Sequence, residues 1–314
     1  MSVTIRMGNG AASGPARYDV RHITTYSYSE SVPVCHNEIH LVPRDVATQR
    51  LLGSGVTVEP QPAHVASHLD YFGNPAAVFS IDEPHERLVI TSRSRVEVVP
   101  PRDWTELSPL PWEEIRDRLR HGTDPATLDA RQFTFDSPLV RGSPRLAAWA
   151  ATSFTPGRPW AEAVAHLTRR IHRDFTYDPT ATQTGTPVDE VFALKRGVCQ
   201  DFAHLQIACL RSLGLAARYV SGYLSNERRV EGTAGEGAND AGMVGADASH
   251  AWLACWGGDD GWLGVDPTND CTSGTLHVTV AWGRDYGDVS PIKGVCVGGG
   301  SHTIDVAVHV TRIA

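Results

Sequence analysis

No stretch of this 314-residue chain approaches the roughly 18 consecutive apolar residues that a membrane-spanning helix requires, so no membrane association is expected. The N-terminus, MSVTIRMGNGAASGPAR, has no long apolar stretch behind its positive charges and does not read as a secretory leader, which makes a cytoplasmic location the expectation. Basic clusters are missing too. With 28 Lys+Arg against 36 Asp+Glu the formal charge is -8, and nothing is arranged to neutralise a run of phosphates, which argues against nucleic acid as a partner. Six cysteines, at positions 35, 199, 209, 255, 271 and 296, have neither CxxC spacing nor the density of a disulfide-stapled secreted domain, so most are expected as reduced core thiols. There is no internal repeat and no Asp/Glu-rich loop of the calcium-binding kind, and nothing calls for a metal or another cofactor.

What is present reads as a soluble globular protein, 41% hydrophobic and 20% charged, with a length that suits two domains better than one or three. From Tyr18 to Val99 the segments YDVRHITTYSYS, HNEIHLVPR, GVTVEP, AAVFSID and RLVITSRSRVEVV favour strands and are parted by Gly, Pro and Asn turns. Pro and charge then enrich residues 100–144, with one short amphipathic helix near Pro111 to Arg120. Helices are predicted from Pro159 to Arg173 and from Val198 to Leu213, the second led by Gly197 and closed by Gly214. Strands follow: ARYVSGYL, SHAWLACW, GWLGVDP, LHVTVAWGR and TIDVAVHVTRI. The expected organisation is a flexible N-terminus over 1–17, an antiparallel β domain over 18–105, a linker with a short helix over 106–140, and an α+β catalytic domain over 141–314. Residues 225–247, rich in Gly and Ala, read as a mobile surface loop.

Cys199 falls in KRGVCQDFAHLQIACLRSLG, at the start of the helix that Gly197 introduces. Unpaired N–H groups and the helix dipole favour an anion there, which is what a thiol nucleophile needs. Cys209 lies mid-helix and reads as packing. Asp201 suits the first turn, and His204, five positions and about 140° round the helix from Cys199, does not share its face; a zinc site built from the three is set aside. His250 begins one strand and Asp266 ends the next, with GGDDG between them. A hairpin would bring both to one end, where the carboxylate can hold the imidazole in the tautomer that turns its free nitrogen to the thiol. Singly, a strand histidine is more often structural and an Asp before Pro more often a turn former. The order of helix-start Cys, strand His and next-strand Asp is what points to chemistry.

The stretches RGVCQDFAHLQIACLRSLGLAARYVSGYL, SHAWLACWGGDDGWLGVDPTND and HVTVAWGRDYGDVSPIKGV resemble the transglutaminase-like superfamily of cysteine enzymes. The last of these, with YDVRHITTYSYSESVPVCHNEIHLVPR near the start, resembles the bacterial branch that carries its own N-terminal β domain, and the likeness runs from about Tyr18 to Val297. The resemblance implies a papain/transglutaminase-like core, with Cys199 attacking an amide carbonyl, His250 exchanging protons and Asp266 orienting His250. Attack would give a thioester through a tetrahedral oxyanion. The backbone N–H of Cys199 is one expected oxyanion donor and the second is open; Gln200 follows the nucleophile and takes no papain-like role.

Trp252 and Trp262, on the two strands beside the site, are either core packing or a wall of the substrate groove, and Tyr219 and Tyr223, strand residues near the active-site end, are as readily substrate contacts as packing. The leading functional expectation is a cysteine protease or amidase acting on peptide or amide substrates. A true transglutaminase, passing a glutamine acyl group to an amine, uses the same residues. A catalytically silent binding protein of the same fold is the third reading. Oligomeric state is not encoded in any pattern found.

Overall fold

The computed structural model describes residues 8–9, 14–225, 243–245 and 248–313. After a two-residue strand, β1 (Gly8–Asn9), the alternating segments of the first hundred residues form β2 (Ala16–Val32), β3 (Val34–Ile39), β4 (Gln49–Glu59), β5 (His64–Leu69), β6 (Pro75–Ile81) and β7 (His85–Val98). Along β7, Leu88, Ile90, Ser92, Ser94, Val96 and Val98 are buried with the period of two that a half-buried strand requires. The helices α1 (Trp112–His121), α2 (Pro125–Arg131), α3 (Pro144–Ala151) and α4 (Trp160–Asp174) follow. A short strand β8 (Thr176–Tyr177), helix α5 (Val188–Leu194) and strand β9 (Arg196–Gly197) lead into α6 (Cys199–Ser212). Then come β10 (Ala217–Leu224), β11 (His250–Trp256), β12 (Trp262–Asp266), β13 (Cys271–Thr272), β14 (His277–Gly283), β15 (Ile292–Val297) and β16 (His302–Arg312).

Two four-stranded sheets, ordered β16-β2-β7-β4 and β15-β3-β6-β5, close on a shared core of Val32, Cys35, Ile39, Leu41, Phe79, Ile81, Leu88 and Ile90. The third sheet, ordered β1-β13-β12-β11-β10-β14, carries the second half of the molecule. The α+β class with a β domain in front is as expected, but the chain ends elsewhere. Strands β15 and β16 were expected within a catalytic unit running to residue 314; they pair instead with β3 and β2 of the β sandwich. Alternation marks which face of a strand is buried and not which strand lies beside it, so the pattern of TIDVAVHVTRI was legible and its neighbour was not.

Residues 106–140 are likewise more than a linker. Ile115, Leu119, Phe133 and Val140 are at most 2% exposed and belong to the same core as α6. The expected flexible N-terminus lies largely outside the described residues, and so does most of the expected mobile loop over 225–247. Among the described residues no helix is long and apolar enough to cross a membrane.

Helix α6 is buried on nearly every face, Asp201, His204, Gln206 and Arg211 included, so its polar side chains need partners inside the protein. It lies against β10 and β11 on one side and α3, α4 and α5 on the other. Strand β14 is an edge of its sheet, and two side-chain amides of the β domain cover it. Gln49 donates to the Thr279 carbonyl at 2.8 Å and accepts from the Thr279 N–H at 2.8 Å; Asn74 does the same for Trp282, at 2.9 Å each way. The amides take the place of a further strand and leave the edge no free ladder groups at these positions.

Candidate active site

Cys199 is the first residue of α6 and is 9% exposed. Gly197, which leads into the helix as expected, does not have a left-handed backbone; its value is space. A Cβ there would lie 2.6 Å from Asp201 Oδ2. That oxygen accepts the Val198 N–H at 2.9 Å and the Thr182 hydroxyl at 2.6 Å, so Asp201 closes the start of the helix, as its first-turn position suggested. His204 points away from the thiol: its Nε2 accepts the Tyr286 N–H at 3.1 Å, and burial pushes its pKa down to about 4, leaving it neutral.

His250 opens β11 opposite Gly222 of β10. Gly222 must be glycine, because a Cβ there would run into the Val278 carbonyl oxygen. The His250 imidazole is fully buried. Its Nε2 hydrogen-bonds Asp266 Oδ2 at 2.8 Å, and its Nδ1 has no conventional partner among the described residues, leaving that nitrogen for the thiol. Burial alone would lower His250, but the Asp266 carboxylate and then the neighbouring Cys199 sulfur outweigh it and hold the imidazole up at about 10. An imidazolium beside a sulfur favours the anionic nucleophile. Gly245, with φ of 90°, passes so near that a Cβ on it would sit 2.6 Å from Nδ1.

Asp266 ends β12 without any exposed surface. Five hydrogen bonds compensate its burial: Oδ2 accepts from His250, from Asn269 Nδ2 at 2.8 Å and from His277 Nε2 at 3.4 Å, and Oδ1 accepts the Thr268 and Asn269 N–H groups at 2.9 and 3.3 Å. Burial pushes Asp266 up; the His250 charge and the bonds from both histidines overcome this and keep it well below the usual carboxylate range. The structure thus brings Cys199, His250 and Asp266 into one chain of contacts.

Sequence reasoning passed over four residues here. Asn269 ties Asp266 to Val244, accepting the Val244 N–H at 2.9 Å. His277 accepts the Gly274 N–H on Nδ1 at 3.2 Å, which places its proton on Nε2, facing Asp266. Tyr177 lies opposite Gly197 in the β8–β9 pair, and its phenol is pushed up by burial and by Cys199. Tyr286 holds His204. The first three were not singled out because nothing in their spacing marks them, although Asn269, His277 and Tyr286 fall in stretches that carried the family likeness. Asp266, Cys271 and His277 also place one potential metal-ligand atom each within 4.8 Å of one another. As the hydrogen bonds stand, His277 presents a donor and Asp266 is saturated, so the cluster fits a carboxylate clamp better than a metal cage.

The four aromatic groove candidates are placed differently. Trp252, Tyr219 and Tyr223 are each 2% exposed and offer almost no surface to a substrate from solvent. Trp252 stacks on His250, with ring centroids 6.2 Å apart, and meets His277 edge-on. Tyr219 packs on His204 and Tyr286, and Tyr223 hydrogen-bonds His22 of the β domain at 3.0 Å. Trp262, half-buried, packs against Arg218 and Phe133. All four support the site or its sheet; large side chains that are apolar on strands of a buried sheet are packing by default.

A helix-start thiol beside an imidazole and a carboxylate held on adjacent strands defines a class, the thiol enzymes with a papain-like core. Residues 147–267 match the family described as the transglutaminase-like superfamily, and residues 18–97 match the bacterial transglutaminase-like N-terminal region. An uncharacterised protein of Mycobacterium tuberculosis is 40% identical over 306 residues, covering 95% of this chain and 93% of that protein. The chain belongs to the transglutaminase-like superfamily. A protein-glutamine gamma-glutamyltransferase of Pseudomonas aeruginosa is 33% identical over 135 residues, 41% of this chain and 19% of that one. A solved Cytophaga hutchinsonii structure, described as a candidate cysteine protease, shares the fold with a TM-score of 0.74 at 20% identity, covering 96% of this chain and 92% of that one.

Proposed function

We propose that the protein is a cysteine hydrolase of amide bonds, a protease or amidase on peptide-like substrates. The observation that carries this reading is the buried His250, bonded to Asp266 at 2.8 Å through one ring nitrogen and left with the other for Cys199. The Cys199 sulfur bonds to the amide carbonyl carbon, and the oxygen takes the negative charge. The backbone N–H of Cys199, one of the unpaired donors of a helix start, and the Tyr177 hydroxyl are the groups assigned to that oxyanion. As the C–N bond breaks, His250 gives its proton to the leaving amine. Water then attacks the thioester, His250 takes the proton back, and a carboxylic acid leaves as Cys199 is restored.

Transfer of the acyl group to an amine in place of water is the second reading, favoured by the name of the Pseudomonas relative. Retention of all three site residues speaks against a silent binding protein. The test is turnover of a peptide and amide library by the full chain and by Cys199→Ala, with and without a primary amine. Acid and amine products that vanish with Cys199→Ala, with an acyl-enzyme visible by intact mass, are expected. Amine conjugates outnumbering acids would favour transfer, and a library that neither turns over nor acylates the protein would favour the binding reading.

A further inference from the structure

Two cysteines outside the catalytic unit face one another. Cys35 on β3 and Cys296 on β15 are direct partners in an antiparallel ladder. Residues so opposed have their Cα atoms about 4.5 to 5.5 Å apart and their side chains on one face, within the roughly 4.4 to 6.8 Å that disulfides span. The ladder register thus puts the pair within disulfide reach. Cys35 is fully buried and Cys296 is exposed. Around the pair, Asn37 Nδ2 donates to Cys35 Sγ at 3.3 Å, His85 Nε2 lies 3.9 Å from the same sulfur, and Tyr28 Oη is 3.7 Å from Cys296 Sγ. The thiols are close enough to act on each other: burial first, and then the charge of Cys296, pushes the Cys35 thiol up.

We propose that Cys35 and Cys296 are a modification site, a thiol pair that closes to a disulfide and fastens the returning C-terminal strands to the N-terminal sheet. The oxidant is a low-molecular-weight disulfide. The exposed Cys296 thiolate attacks it, forming a mixed disulfide and releasing one small thiol. The Cys35 thiolate, stabilised by the Asn37 N–H, then attacks the Cys296 sulfur and expels the second small thiol. Two protein thiols and one small disulfide become one protein disulfide and two small thiols, so hydrogens and electrons balance. Strand β15 is the edge of its sheet and is held there by β3. A bond at this point closes a loop spanning most of the chain, where the entropic restriction of the unfolded state is largest.

The test treats the full-length chain with oxidised glutathione, blocks remaining thiols with N-ethylmaleimide and maps the peptides. A linked pair of peptides carrying Cys35 and Cys296, lighter by two hydrogens and separated by dithiothreitol, is expected. The oxidised chain should melt about 5 °C or more above the reduced chain. Cys296→Ser, at an exposed position, should fold and lose that shift, and Cys35→Ser should stall at glutathione on Cys296. The proposal is overturned if wild type keeps glutathione on Cys296 while Cys35 stays reduced, or if both cysteines take the maleimide under conditions that place glutathione on Cys199.

Discussion

Replacing Asp266 by Asn keeps the side chain's shape and inverts half of its hydrogen bonding. The Asn oxygen can still accept the Thr268 and Asn269 N–H groups. Its amide nitrogen then faces His250, Asn269 and His277, whose nitrogens donate to the carboxylate in the native protein. To accept from that amide nitrogen, His250 must bare Nε2 and carry its proton on Nδ1, the nitrogen left for Cys199. A base in that tautomer cannot take the thiol proton. The charge that holds the imidazole up at about 10 against the ordinary 6.5 is lost as well; at about 1.4 kcal/mol per tenfold, that whole rise is worth roughly 5 kcal/mol, of which the carboxylate supplies the largest favourable part. Asp266→Asn should therefore lower kcat/KM by about 10² to 10³, or roughly 3 to 4 kcal/mol of transition-state stabilisation. Rates and thermal melting should be measured on one preparation, because the same carboxylate also holds the turn after β12. A folded Asp266→Asn protein with unchanged kcat/KM would refute the orienting role.

Iodoacetamide should label Cys199 fastest at pH 6 to 7, ahead of the exposed Cys296, and His250→Ala should slow that labelling by about tenfold or more; an inert Cys199 beside a reactive Cys296 would remove the nucleophile assignment. His250, raised to about 10, should keep kcat/KM high through pH 8 to 9 and lose it as pH rises through about 10. The stability it contributes is complete below 6.5 and fades between 6.5 and 10, while that of Asp266, held low, is present above the ordinary carboxylate pKa and is lost in acid. A kcat/KM that falls as pH rises past 7 would contradict the raised His250, and a melting point that does not drop in acid would contradict the lowered Asp266. Asn74→Ala should orphan the Trp282 N–H and carbonyl at the β14 edge and cost about 2 to 4 kcal/mol, a melting point lower by roughly 5 to 10 °C; an unchanged melting point would mean that water replaces the amide without loss.

The triad could be read because its geometry is local: a helix start, a hairpin and a cysteine in the first turn each leave a mark on adjacent residues. The missed helices α2, α3 and α5 are seven or eight residues long and begin at or after prolines in stretches that look like turns. Tertiary packing of Leu146, Ala150, Val188 and Phe192 sustains α3 and α5, beyond what propensity alone would do. Asn269 and His277 acquire their meaning only when β14 and the turn after β12 converge on one carboxylate. Sequence could not choose between packing and groove for the four aromatic residues for a related reason, since proximity along a strand does not say on which face of a six-stranded sheet a ring lies. The groups that cover the β14 edge, Gln49 and Asn74, come from more than 200 positions away in the chain. Deleting the β domain would strip that edge and leave β15 and β16 without partners, so the catalytic unit is not a freely detachable module.

The pairing of β16 along β2 also sets an order of events during synthesis. The outer edge of β2, 17 residues long, waits for a strand that is made about two hundred residues after β7. At roughly 5 to 20 residues per second, about 10 to 40 s separate the end of β7 from the start of β16. In that interval α6 and the sheet beneath it can already collapse, whereas the sandwich stays unfinished with two open edges. A nascent chain in this state can borrow a strand from its neighbour on the same messenger, and the arrival of β16 decides whether it folds alone.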